Sequence, residues 1–172
     1  MSIDAFNLTI DHWIRELDHY DFETLCRKPS PTGWSLGQVY MHLIENSQFC
    51  IDRIQTCLAT NENAHLQPAP HGRCMLQQNA FPDEIIEGPP SNQSTPQPEN
   101  KIQILLALQH IRSEMNILAT RMGEGNYEGK AKHPGLLYMN AYEWLQFADM
   151  HLRHHLRQKA RMDQYLAQNP IS

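Results

Sequence analysis

A chain of 172 residues, 41% hydrophobic and 19% charged, has enough apolar surface for one packed core and is short for two. Its net charge of -5, with no basic run longer than a pair, excludes a concentrated phosphate-binding surface, so nucleic acid is not an expected partner. No apolar run approaches the roughly 20 residues of a membrane span, and the four cysteines form no C-x-x-C pair of a zinc ribbon or redox dithiol.

Met1 to Trp13 lacks the basic start and apolar stretch of a signal peptide, so a cytoplasmic protein is expected. In the same region Ile3, Phe6, Ile10, Trp13, Leu17 and Tyr20 recur at steps of three and four. That spacing predicts an amphipathic helix from about Ser2 to Tyr20, with His12 and His19 off the stripe and in solvent. A connector through Pro29, Pro31 and Gly33 follows, with a short helical turn before Lys28.

Ser35 and Gln38 have the spacing of a capping box, predicting a second helix from there to about Ala59. At 100° per residue, Leu36, Val39, Leu43, Cys50, Ile54 and Cys57 form its buried stripe. His42, Asn46, Phe49 and Arg53 lie along the flank of that stripe, a position suited to lining a cleft between helices. Cys50 and Cys57 are expected to be buried free thiols.

Residues 60–97 contain six prolines, with Pro98 just beyond, which forbid a long helix or a central strand. A connection this long is either a crossover running the length of a bundle or a lid over a site. His65 and His71 within it are expected to be exposed.

Ile104, Leu108, Ile111, Met115, Leu118 and Met122 make a heptad seam, predicting a third helix with Pro98 and Glu99 in its first turn and Gly123 at its end. The methionines read as core packing. The glycine-containing stretch from Gly123 to Met139 reads as a loop and fits no phosphate motif.

The last helix opens at Asn140, with Glu143 at the third helical position. On its wheel His151 and His155 fall in the buried stripe with Trp144, Ala148 and Met162. His154 sits at the edge, and Gln146, Arg153, Arg157 and Gln164 face water. Two imidazoles one turn apart on a buried stripe need partners. Either each donates to a neighbouring carboxylate or carbonyl, or the two hold one metal ion. His42, on another helix and at the cleft flank, is the natural third ligand. Three neutral imidazoles leave a tetrahedral ion one open position, the pattern of a catalytic site.

Four helices, two substantial loops and no convincing strand predict an all-α four-helix bundle, a single domain over residues 1–172. The long proline-rich connection between the second and third helices allows those two to run parallel.

The segments PTGWSLGQVYMHLIEN and EWLQFADMHLRHHLRQ resemble the signature regions of the DinB/YfiT-like superfamily of four-helix-bundle metalloproteins. The likeness covers about Lys28 to Tyr165. Carried over residue by residue, it implies His42, His151 and His155 as ligands of a divalent transition metal, zinc or nickel. His154 and Gln158 match further family positions, taken here as substrate-binding. Leu156-Arg157 stands where the family often has Arg-Gly, which alters the shape of the adjoining pocket.

The resemblance further implies a small-molecule substrate and a metal-dependent S-transferase for a low-molecular-weight thiol of the bacillithiol or mycothiol type. The ion would lower the thiol pKa, and Arg53 could meet a carboxylate of the thiol. A hydrolase, with Glu45 as the base or as a partner holding a histidine ring, is the alternative. A third reading is a non-catalytic, stress-related binding module acting as a homodimer.

Overall fold

Serine or asparagine side chains close the starts of three of the four long helices, and the first begins after Ser2 without a side-chain cap. The computed structural model describes residues 2–82 and 94–169. Helix α1 spans Ile3–Glu16 and buries Phe6, Ile10 and Trp13; Leu17–His19 then tightens into a 3-10 turn that buries Leu17. A short α2, Phe22–Cys26, follows an Asp21 cap. Helix α3, Leu36–Ala59, has the reciprocal capping box of Ser35 and Gln38. Helix α5 spans Lys101–Glu124 and buries all six residues of the heptad seam. Its cap is Asn100, which leaves Pro98 and Glu99 outside the helix rather than in its first turn. Helix α6, Ala141–Gln168, starts from a second capping box, Asn140 with Glu143.

Tertiary contacts set the helix directions. Thr9 Oγ1 donates to Asp149 Oδ1 at 2.7 Å and Trp13 Nε1 donates to Leu152 O at 3.1 Å, so α1 and α6 run parallel. Arg112 meets Asp11 at 2.6 Å and Asn116 meets Asn7, so α5 opposes α1. His42 faces His151 while Phe49 faces Trp144, so α3 opposes α6. It follows that α3 and α5 run parallel. Residues 83–93 of the proline-rich connection between them lie outside the described residues. Phe6, Trp13, Leu36, Leu43, Ile54, Ile104, Leu108 and Trp144 are fully buried where the four long helices meet.

Two features differ from the sequence expectation. The stretch read as a loop after α5 contains an antiparallel hairpin, β1 Lys130–His133 with β2 Leu137–Asn140, in which Ala131 pairs with Met139. Its strands are four residues each, too short for alternation to stand out from a loop. At Gly129, just before β1, a Cβ would stand 2.0 Å from Thr60 O and 2.5 Å from Cys57 O. Only glycine lets the hairpin lie this close to the end of α3.

The second difference is α4, Pro70–Gln78, within the proline-rich connection. Pro70 occupies the first turn, where its missing N–H is not needed. Asn79 ends the helix in the left-handed region, with φ 51°. This short helix covers part of the α6 face expected to be wet. Gln146 Nε2 donates to Leu76 O at 2.7 Å, and Arg153 Nη2 donates to Asn79 O at 3.0 Å. A helical wheel describes one helix, so it cannot anticipate a neighbour that docks against its polar side.

Candidate metal centre

The capping box at Ser35 sets the start of α3, and His42 then emerges beside the buried stripe, toward α6. The second capping box fixes α6 in the same way and turns His151 and His155 toward α3. The result is a convergence of three ring nitrogens. His151 Nε2 lies 3.2 Å from His42 Nε2 and 3.2 Å from His155 Nε2. Ligand atoms of all three residues fall within 4.8 Å of one another, and no carboxylate or thiol joins the group among the described residues.

Hydrogen bonding alone does not satisfy this arrangement. An imidazole nitrogen has one in-plane direction, occupied either by a proton or by a lone pair. His151 Nε2 therefore aligns with one of its two neighbours at most, and the other is left without a well-directed hydrogen bond to it. A cation placed between three lone pairs removes the conflict. A tetrahedral ion with metal–nitrogen bonds of about 2.0–2.1 Å sets its ligands roughly 3.3 Å apart, and the two 3.2 Å separations match it. The residues fit a metal ion.

Electrostatics agree with that fit. Burial, then the neighbouring His154 ring, lowers His42 to about 4. Burial and the His42 ring lower His155 to about 3, against the upward pull of its bond to Gln158. Burial holds His151 well below the ordinary histidine value, helped by the surrounding rings. All three are neutral near pH 7, as metal ligation requires.

The surroundings are aromatic. Phe147 stacks on His151 with ring centres 6.1 Å apart, Trp34 lies 5.1 Å from His42, and Phe81 lies 6.0 Å from His151. His155 Nδ1 is 2.8 Å from Gln158 Oε1, which accepts its proton and leaves the Nε2 lone pair facing the centre. Among the described residues, His151 Nδ1 is buried without a hydrogen-bond partner.

The remaining sequence-predicted residues lie around this centre. Gln158 contacts a ligand ring from behind. His154 stays outside the trio, 5.1 Å from Phe81 between ring centres and with Nδ1 3.1 Å from Arg157 Nη2. Arg53 is half-buried, its guanidinium carbon 5.2 Å from the Phe49 ring centre and its Nε buried without a hydrogen-bond partner among the described residues. Glu45 is exposed, and no hydrogen bond or ion pair joins it to the three rings among the described residues. The buried acid nearest in sequence, Asp149, turns instead to Thr9 and Arg153.

Sequence reasoning missed two neighbours of the site, Phe81 and His133. His133 sits at the end of β1, 4.9 Å from Phe147 and 5.5 Å from Trp144 between ring centres. The signal that would have found it was the Pro134-Gly135 turn pair next to it. Phe81 left no comparable signal.

No curated protein and no solved structure matches the chain. The model of the DinB superfamily matches residues 5–158, a span that takes in most of α1, all of α3, the three converging histidines and Gln158. With most of its length matched, and with the helical architecture and histidine convergence described above, the chain belongs to the DinB superfamily.

Proposed function

We propose that the protein is a metal-dependent enzyme that transfers a low-molecular-weight thiol, of the bacillithiol or mycothiol type, to an electrophilic small molecule. The observation that carries the metal reading is the pair of 3.2 Å contacts to a single His151 nitrogen. His42, His151 and His155 would hold the ion. When bound there, a divalent cation such as zinc or nickel lowers the pKa of a thiol beside it.

The chain's own residues supply the rest. Gln158 holds the His155 ring in the tautomer that directs Nε2 inward. Phe147, Trp34 and Phe81 exclude water around the three nitrogens. Arg53 is a half-buried guanidinium on the same helix as His42, and its outer nitrogens suit a carboxylate of the thiol. A hydrolase would need a base close to its water. Glu45 is exposed, and among the described residues no acid joins the histidines, which favours thiol transfer.

The test uses full-length protein purified without a histidine tag. About one ion per chain is expected in the wild type, and almost none in His151→Ala. The loaded wild type should conjugate a bacillithiol-type or mycothiol-type thiol to an aryl halide faster than metal-free protein. Absence of metal from both proteins after supplementation overturns the metal site. A loaded protein that leaves the thiols unreacted while cleaving esters overturns thiol transfer in favour of hydrolysis.

A further inference from the structure

Helix α5 buries its heptad seam, yet the side opposite that seam also carries large apolar residues. Ile102 is 66% exposed, Leu106 58% and Ile117 52%. At 100° per residue these three fall with Gln109, Ser113 and Thr120 within about 40° of one line down the helix. All six are exposed.

Between Ile102 and Thr120 no acid, lysine or arginine lies on that line. Arg112 turns aside to Asp11, and Glu114 stands about 100° away. A helix face turned to water ordinarily carries charge. A face that lacks charge and keeps large apolar side chains is the kind that another protein covers.

The order of residues along the face decides what fits it. Turned end for end, α5 complements itself. A twofold axis between Gln109 and His110 places Ile102 opposite Ile117 of a second copy, and Leu106 opposite Ser113, whose small side chain leaves room for it.

The charges at the edge agree with this register. The backbone N–H of Glu99 donates to Gln103 Oε1 at 2.7 Å, which holds Glu99 on the edge of the face where Arg121 also stands. Such a twofold axis brings like edges together, so Glu99 meets the level of Thr120 and Arg121 of the second copy, twice per dimer. Both residues are exposed, and neither is in an ion pair among the described residues.

We infer that this face of α5 docks a second copy of the chain, as an antiparallel helix pair about a twofold axis at Gln109 and His110. Helix α5 carries none of the three converging histidines, so the pairing stands apart from metal binding and thiol transfer.

Sedimentation equilibrium on the full chain, at concentrations up to about 100 μM, should give twice the 20.0 kDa of one chain. Leu106→Glu should weaken the dimer about tenfold or more, because each dimer then buries two charges. Glu99→Arg should weaken it about threefold, and Arg121→Glu added to it should restore it. Orientation is read by cross-linking, with Cys26 and Cys74, the two cysteines that are not buried, first replaced by serine. In that background Gln109→Cys should give a disulfide-linked dimer on mild oxidation, since it meets its own copy near the axis. Ile102→Cys should not, because its copy lies roughly 22 Å away along the helix.

A monomer at every concentration overturns the inference and leaves the face to a different protein. A dimer that Leu106→Glu leaves intact overturns this face. Linkage through Ile102→Cys but not Gln109→Cys, or no rescue by the charge swap, overturns the antiparallel register. The wild-type mass and the Gln109→Cys linkage decide the matter even if Leu106→Glu folds poorly.

Discussion

Gln158 accepts the Nδ1 proton of His155 at 2.8 Å, from a position three residues further along α6. The bond fixes which His155 nitrogen is free, and so ties a residue outside the trio to the electron pair offered to a metal.

Gln158→Ala is therefore expected to lower metal affinity by about 10–100-fold while leaving the fold intact. Gln158→Glu should raise it, because a carboxylate makes the ring more basic. Chelator competition on the purified variants measures both. Unchanged affinity in Gln158→Ala would show that the ring is held by packing alone.

His154 stands beside the same cluster without pointing into it, its Nδ1 3.1 Å from Arg157 Nη2. His154→Ala should keep close to the full metal content, in contrast to His151→Ala. Metal analysis of the two variants side by side checks the assignment of ligands on α6.

Arg53 carries a buried Nε with no hydrogen-bond partner among the described residues, so its native contacts do not favour it strongly. Replacing it with methionine is expected to leave thermal stability unchanged or raise it by up to about 1 kcal/mol. Affinity for a carboxylate-bearing thiol should fall at the same time. A loss of stability without loss of thiol affinity would assign Arg53 to packing over Phe49.

Further along α6, Lys159 is 5% exposed and meets Glu16 at 2.6 Å, Asp163 at 2.8 Å and the Tyr20 hydroxyl at 2.7 Å. The bond to Lys159 lowers Glu16 below its ordinary 4.5, so its contribution is complete above that value and is lost as pH falls through the depressed one. Burial, then the bond to Asp163, raises Tyr20 to about 12 from 10.0. Its neutral form is therefore favoured by folding, with a contribution complete below pH 10 and lost as pH rises through about 12. Lys159→Met is expected to cost about 2 kcal/mol at neutral pH and to flatten the acid limb of a denaturation profile. Metal content should not change, because the lysine touches none of the three rings.

The stripe positions of Phe6, Trp13, Leu36, Ile104 and Trp144, and the Ser35 and Asn140 caps, were legible in the chain because helix periodicity and capping are local. The trio was legible too. His151 and His155 are one turn apart on a buried stripe, and His42 flanks another. Spacing along a helix is set by 3.6 residues per turn, whatever surrounds it.

Other relationships joined residues that no local pattern links. Asn79 reaches Gln146 and Arg153 from the end of a short helix, covering a side of α6 that polarity alone assigned to water. Four-residue strands brought His133 beside Phe147, and nothing in their brief alternation distinguished them from a loop. The caps at Ser35 and Asn140, the buried faces and the three histidines that converge were determined by the sequence itself, because each depends on a few residues of one segment. The convergence of those ligands on one His151 nitrogen, the orientation of His155 by Gln158 and the arrival of His133 were decided by tertiary structure, because each depends on how separate segments pack.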